Sequence, residues 1–544
     1  MSAALRAFAR WYERNVVELA RELRLAYLPP LMVYLAAGVS GLTAIVGTFF
    51  VKEYLDLSAE FLAALGFWAG LPWALKMPLG HLVDLAWRWK AGLVWLGAGL
   101  VAASLGIMIG LLSDPAAMRS LMRAESWFVL AALLAPVGYV LQDVVADAMT
   151  VEAVPRADDE GRPLAAETRR LMHTTMQTLG RIAVLGGGVL VSLANVVLLR
   201  GVAQLPPLEQ AQVYRDVHVV ALAIPAISVA GVTIAAILRR RTARRLARRG
   251  LSAAQIAEVL AARPERPPVN WPVLGGGLAF AAVSLGVGLG GVPYAEEIVF
   301  AGSMAIVLLL MHRLVRELAP EARATIVGTA AVVFAFRATP GPGAGATWWQ
   351  IDVLGFDQHF LAVLSLLASA LTLAGLFLFR RFMAERSIAY VVGALTIAGT
   401  LLSLPYLGMY WGLHEWTAAR TGGVVDARFI ALVNTALESP LGQIAMVPML
   451  AWIAASAPER LKATYFAVMA SFTNLALSAA QLGTKYLNKV WVVTREVREP
   501  VTGAVKIPAD YGQLGELLLA SLAIGLALPF AAIAFARWTR YRSG

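Results

Sequence analysis

Gln142-Asp143-Val144-Val145-Ala146-Asp147-Ala148-Met149-Thr150-Val151-Glu152 ends one of the chain's long apolar runs. A spacing of four places Asp143 and Asp147 on one face of a helix. A lone ionised group at the centre of a bilayer costs ~2.5–3.5 kcal/mol or more, so each carboxylate there calls for a partner or a task. Whether this segment lies at membrane depth is decided by the sequence around it.

Of 544 residues, 59% are hydrophobic and only 15% are charged, and the mean hydropathy is +0.68. A water-soluble chain of this length would need more polar surface to cover itself. Apolar runs of about 20 residues recur throughout, which is the length that crosses a hydrocarbon core as a helix. They are continuous rather than alternating, which excludes a β-barrel. The fold class is therefore an all-α polytopic membrane protein. With no cysteine, disulfides, thiolate metal sites and thiol catalysis are excluded. The net charge of +11 reads as the positive-inside signal of a membrane protein rather than a nucleic-acid footprint.

Outward from the Asp pair, about fourteen spans are expected. Six lie near 27–51, 60–83, 91–112, 126–149, 170–198 and 217–238. Residues 239–270 form a basic connector with Arg239, Arg240, Arg241, Arg244, Arg245, Arg248 and Arg249, and Leu251–Ala262 reads as a short surface helix within it. A tight hairpin at 271–316 has spans near 271–291 and 295–314, and its Glu296 and Glu297 read as interfacial and structural. Six more spans lie near 321–340, 357–380, 387–411, 428–455, 460–486 and 513–537. The organisation is an N-terminal segment 1–26, a six-helix half 27–238, the connector, the hairpin, and a second half 317–544. The leader carries Arg6, Arg10, Arg14, Arg21 and Arg24 and reads as an amphipathic helix on the inner leaflet rather than a cleavable signal.

Basic residues cluster on one side of these spans, at the leader, the connector, Arg380–Arg381, Arg460–Lys462 and Arg537/Arg540/Arg542. Both termini are therefore expected in the cytoplasm. Loops such as Gly341–Thr347 and Thr421–Asp426 are nearly free of Lys and Arg. The segment 487–512 breaks this rule with Lys489, Arg495, Arg498 and Lys506.

A repeat at one constant offset relates Leu55, Leu57, Phe61, Leu62, Ala63 and Leu65 to Leu354, Phe356, Phe360, Leu361, Ala362 and Leu364. Each set follows the first helix of a six-helix block. Two parallel halves are what the major facilitator fold would produce, with a site between them near mid-bilayer.

Lys76-Met77-Pro78-Leu79-Gly80-His81-Leu82-Val83-Asp84, followed by Arg88 and Lys90, reads as a gate latch. Gly80 allows close approach of helix ends, and Asp84 can face a helix N-terminus. Lys76 lies at about the depth of Asp143 and Asp147. One reading is a static ion pair between the second and fourth helices; the other is that Asp143 or Asp147 takes up a proton during a transport cycle. On the fifth span, His173, Gln177 and Arg181 form a polar stripe. Arg181 lies ~16 Å into the span, where a guanidinium needs a carboxylate from protein or solute; His173 reads as structural. In the second half, Glu438 reads as a proton-coupling carboxylate or as a static partner of Arg181 or Arg337. Asn474 and Ser471 lie midway along the next helix. Tyr34 and Trp73 could stack on a flat ring.

These residues together resemble the folate–biopterin transporter family of the major facilitator superfamily. In the first half the likeness rests on Gly38, Val51–Ser58, Leu71-Pro72-Trp73 with Lys76 and Pro78, and Asp143/Asp147/Glu152. In the second half it rests on Ala338-Thr339-Pro340, Leu354-Gly355-Phe356 and Gly442-Gln443 through Pro448. It continues at Pro458-Glu459, Ala463-Thr464, Ala467, Ser471 and Asn474. The resemblance implies a multi-pass carrier of pteridine-type solutes driven by an ion gradient. Arg337, in place of a neutral polar residue before Ala-Thr-Pro, and the extra hairpin depart from the family pattern. Arg337 would suit an anionic solute.

The expectation is a secondary active transporter in a bacterial inner membrane, working as a monomer by alternating access. Arg181, Gln177, Arg337, Asn474 and Tyr34 would hold a small organic solute. Glu438 or the Asp143/Asp147 pair would carry a proton (or sodium would couple instead), and Lys76, Gly80, Asp84 and Arg88 would form the latch. No Walker loop, metal-ligand spacing or nucleophile–base pair is present, so no cofactor, metal or enzymatic activity is expected. The alternatives are a carrier of another organic anion and a non-transporting membrane scaffold.

Overall fold

The structure, a computed structural model, describes residues 13, 23–74, 76–86, 89–154, 164–250, 252–253, 256, 260, 269, 271–290, 292–316, 320–379, 386–441, 462–498 and 504–539. The leader, most of residues 251–268, Arg88, Gly442 through Pro448 and Pro458-Glu459 lie outside them, as do the side chains of Asp84 and His173.

The first span is broken. Pro29 and Pro30 open α1 (Leu28–Gly38), where a missing N–H costs nothing. A 3₁₀ turn, Val39–Thr43, leads into α2 (Ala44–Tyr54). Gly38 marks the break because a Cβ there would lie 2.3 Å from the Val184 carbonyl oxygen, and one at Gly187 would lie 2.8 Å from Gly38 Cα. Two small residues thus bring the first and fifth spans into backbone contact. The second span is described as α3 (Ala59–Ala74) and α4 (Lys76–Leu85), on either side of residue 75. Pro72 lies inside α3 and removes one backbone donor from it.

The first half continues with α5 (Lys90–Ser113), the short α6 (Pro115–Leu121) and α7 (Ala124–Ala153). It ends with α8 (Ala166–Leu198), α9 (Pro207–Ala221) and α10 (Ala223–Arg248). The last helix runs ten residues beyond the expected end of the span, so Arg239–Arg248 are helical rather than part of a loop. The hairpin is α11 (Trp271–Leu289) and α12 (Ala295–Arg316). The second half comprises α13 (Pro320–Arg337), α14 (Ala344–Asp352), α15 (Gln358–Leu378), α16 (Ile388–Tyr410), α17 (Leu413–Arg420), α18 (Ala427–Glu438), α19 (Lys462–Val490) and α20 (Leu514–Trp538). The outer loop expected at Gly341–Thr347 turns into α14 once Gly343, at φ 77°, reverses the chain. Among the described residues nine helical stretches are long and apolar enough to cross a bilayer. Large side chains such as Trp95, Val197 and Leu278 stand exposed on the outside, as a lipid-facing surface requires.

The repeat has a structural counterpart. Ser58 Oγ accepts from the Phe61 N–H at 3.1 Å at the start of α3, and Asp357 Oδ1 accepts from the Phe360 N–H at 2.7 Å at the start of α15. The same offset therefore relates the N-caps of the second helix in each half. The halves meet where α3 packs on α19 and α8 packs on α15. Counting spans without the hairpin, these are the second with the eleventh and the fifth with the eighth. Shifting by six converts one pair into the other, which is the signature of two parallel halves related by a pseudo-two-fold axis.

The extra hairpin lies over the α3–α19 seam. Trp68 Nε1 donates to Glu296 Oε1 at 2.9 Å, Lys485 Nζ lies 3.1 Å from both Glu296 and Glu297, and the Tyr486 hydroxyl donates to Glu297 at 2.7 Å. The two glutamates therefore tie the hairpin to both halves.

Candidate transport site

Lys76 lies on α4, which packs against α7. Its Nζ lies 2.5 Å from Asp143 Oδ2 and 2.7 Å from Asp147 Oδ2, so the ion pair between the second and fourth spans is present and takes in both carboxylates. The Tyr34 hydroxyl donates to Asp147 Oδ1 at 2.5 Å. Arg181 on α8 lies within electrostatic reach of Asp143. Arg337, at the last turn of α13, donates from Nε to the Thr473 carbonyl on α19 at 3.1 Å. Arg337 also lies within electrostatic reach of Arg181. It thus faces α19, with Arg181 of the first half nearby. Among the described residues, Lys76, Arg181 and Arg337 lie near one another at this junction together with Asp143 and Asp147.

Several expected contributors have other duties here. The Tyr34 ring is buried beneath α8, where a Cβ on Gly180 would come within 2.8 Å of Tyr34 Cε2; the ring is covered and does not offer a stacking face. Asn474 Nδ2 donates to the Trp73 carbonyl at 3.3 Å, bridging α19 and α3. Gln177, one turn before Arg181 and exposed, donates to Thr150 Oγ1 at 3.2 Å. Gly80 does not sit at a tight crossing, because an added Cβ would meet only Val144 Cγ1 at 4.0 Å. Nearby, Lys90 pairs with Glu152, which also faces Arg239 at 3.6 Å, so the inner ends of α5, α7 and α10 are linked.

Glu438 is not part of the central cluster. It lines a cavity of about 510 Å³ whose described walls all belong to the second half. Asn434 Nδ2 donates to Glu438 Oε2 at 3.4 Å. Among the described residues no Lys or Arg pairs with Glu438, so the static pair with Arg181 or Arg337 is absent. The helix position of Glu438 was readable from the sequence; the direction it faces was not.

The ends of the halves remote from the Lys90–Glu152 link are fastened together. Arg495, 3% exposed, reaches from the loop after α19 to the end of α2. Its Nη1 donates to the Lys52 carbonyl at 2.6 Å, its Nη2 donates to the Leu55 carbonyl, and its guanidinium lies 5.1 Å from the Trp348 ring centroid. Lys52 Nζ lies 2.5 Å from Asp352, and Lys506 pairs with Asp56. The Tyr511 hydroxyl donates to Asp352 at 2.5 Å. Burial, that hydrogen bond and the carboxylate's charge push the Tyr511 phenol up, so it stays protonated and remains a donor. Beside this lock, Gln358 Nε2 donates to the Tyr214 hydroxyl at 2.7 Å, and Ser192 Oγ lies 2.8 Å from Ser365 Oγ. A two-stranded ribbon, β1 (Val497–Arg498) with β2 (Val505–Ile507), shapes the loop that carries Arg495. The sequence signal for this lock was the run of basic residues on the side that is otherwise free of them.

The sequence profile of the BT1 family matches residues 37–539, from α1 through the last helix. The chain belongs to the BT1 family. A curated relative, named folate-biopterin transporter, from Synechocystis sp., is 25% identical over 450 residues, covering 82% of this chain and 71% of the relative. Among solved structures, a POT family transporter in complex with 5-aminolevulinic acid superposes with a TM-score of 0.59 at 12% identity, over 94% of this chain and 95% of that one. A POT family transporter in complex with a thioalcohol-conjugated peptide gives 0.58 at 13% identity, over 94% and 96%. At such identities the structural likeness establishes the fold, which is the major facilitator fold expected from the repeat. This BT1 protein is a multi-pass membrane transporter.

Proposed function

We propose that this BT1 protein is a secondary carrier that moves a folate- or pterin-type organic anion by alternating access, coupled to protons. The observation that carries the reading is the central cluster. Lys76, Arg181 and Arg337 lie with Asp143 and Asp147 at the junction of two halves whose ends are tied. A solute carboxylate would be attracted to this grouping of cations, and Arg337 has a guanidinium fork suited to it. The name of the Synechocystis relative supports the pterin class of solute.

In this reading the structure stands closed to the outside. Lys76 sits between two carboxylates, so a proton arriving on either one loosens its hold and frees α4 to shift against α7. The coupling proton is assigned to the Asp143/Asp147 pair, with Glu438 in its separate cavity as a second carboxylate. Arg181 and Gln177 face the solute, and the latch of the inner side is assigned to Lys76, Gly80, Asp84 and Arg88. One chain holds both halves, so a monomer suffices. The placement of basic residues puts both termini in the cytoplasm of a bacterial inner membrane.

Uptake into proteoliposomes tests this directly. Labelled folate is expected to accumulate under an imposed pH gradient and to stop when the gradient is collapsed. Arg337→Ala removes a charge-assisted hydrogen bond and is expected to raise the KM for folate about tenfold or more, with a smaller effect on biopterin, which lacks a carboxylate. Gradient-independent uptake, or equal effects on both solutes, would refute the assigned roles.

A further inference from the structure

We propose that the cavity of the second half is a ligand site distinct from the central cluster, taking a small organic ligand that presents N–H donors beside an apolar or aromatic face. The cavity holds about 510 Å³, the size range of small-molecule sites, and lies between the end of α13, α14, α16, α18 and α20. Its chemistry comes from the direction of its hydroxyl groups. Thr396, Thr400 and Ser403 on α16 donate to the carbonyls of Val392, Thr396 and Gly399, each at 2.8 Å. Thr339 donates to the Phe336 carbonyl at 3.1 Å and Ser521 to the Pro340 carbonyl at 2.8 Å.

Each Ser and Thr hydroxyl on the wall thus gives its proton to the backbone and has only oxygen lone pairs left to offer the cavity. Glu438 adds a carboxylate, and among the described residues no Lys or Arg lines the walls. Gln350, Tyr406 and the indole of Trp349 are the side chains that keep a donor. Such a surface accepts hydrogen bonds and attracts positive charge, which is the opposite of the arginine-rich centre. Trp349, Tyr406 and Phe336 supply aromatic surface, favourable to a flat ring or an ammonium group.

The cavity and the centre lie on different sides of α13. Phe336 and Thr339 border the cavity, whereas Arg337 between them turns to Thr473 on α19. The ligand chemistry has two sources, an amino-substituted heterocycle and an organic ammonium ion, and both present N–H groups to a carboxylate. This assignment does not depend on the carrier reading, because it concerns equilibrium binding to one half.

The test is calorimetric titration of the purified full chain with biopterin, with phenethylamine and with sodium chloride. Gly399→Leu serves as a plug, since an added Cβ there meets nothing within 4 Å and the side chain grows from the cavity wall without a backbone clash. Biopterin or phenethylamine is expected to bind, to lose affinity about tenfold or more in Glu438→Gln, and to lose it in Gly399→Leu. Arg337→Ala is expected to leave phenethylamine binding unchanged, and to leave a biopterin affinity that still falls in Gly399→Leu. Whichever of the two binds identifies the source. Binding of sodium alone, binding of neither organic probe, or binding that survives Gly399→Leu but falls with Arg337→Ala would overturn the proposal.

Discussion

Lys76→Met is expected to abolish transport and to lower the melting temperature in detergent sharply, whereas Lys76→Met with Asp143→Asn recovers most of the stability and none of the transport. The reason lies in the different surroundings of the two carboxylates. The Asp143 side chain is 15% exposed and that of Asp147 46%. Removing the shared ammonium leaves Asp143 as a buried, poorly compensated charge, and breaking such a pair costs roughly 3–5 kcal/mol. Asp147 keeps the Tyr34 hydroxyl and more contact with water, so its share is smaller. Neutralising Asp143 in the double variant therefore removes most of the penalty, while the charge exchange that transport requires is still missing. Thermal melts followed by tryptophan fluorescence, together with folate uptake, check both parts. If Lys76→Met melts like the parent protein, the cluster is not the buried network described.

Arg495→Ala is expected to shift the protein toward an outward-open state. The last carbonyls of α2 have no partner within their own helix, and they carry the negative end of the helix dipole. Arg495 satisfies the Lys52 and Leu55 carbonyls from the other half of the molecule, so a single side chain fastens helix end to loop. Burial draws its guanidinium down from the usual range, with Asp56, Tyr511 and Asp352 nearby holding it up. The chain has no cysteine, so Ser192→Cys introduces one thiol at a position that is 2% exposed. Its reaction with a membrane-impermeant thiol reagent is expected to be about tenfold faster in the Arg495→Ala background, the equivalent of ~1.4 kcal/mol in the opening equilibrium. Arg495→Lys recovers only part of the closure, because an ammonium cannot bridge two carbonyls in a fixed fork. Unchanged labelling would remove Arg495 from the gate.

The helices were legible because a bilayer imposes one rule, continuous apolar length, that the sequence must obey. Each expected span has a helical counterpart among the described residues, though that near 428–455 is described only as far as Leu441. The repeat was legible at the turns, where Ser58 and Asp357 perform the same capping task. The Lys76–Asp143–Asp147 cluster could be read from helix phase and depth alone. What could not be read was the direction in which a polar residue faces when two protein surfaces are open to it. Glu438 faces a cavity inside its own half, whereas Arg337 faces α19 and the other half. Tyr34 looked like a ring available for stacking, but Gly180 admits it into a covered slot. The Arg495 lock joins residues more than four hundred positions apart, and a single sequence holds no periodicity that pairs them.

Spin labels at two pairs of exposed sites test the central claim most directly. Leu208→Cys with Val424→Cys spans the outer ends of the halves, and Arg248→Cys with Leu378→Cys spans the inner ends. Pulsed electron–electron distances in lipid nanodiscs, recorded with and without folate at two pH values, are predicted to move in opposite senses, with the outer distance lengthening as the inner one shortens. Distances that stay fixed under every condition, or that lengthen together, would contradict a carrier that rocks about its mid-membrane charges.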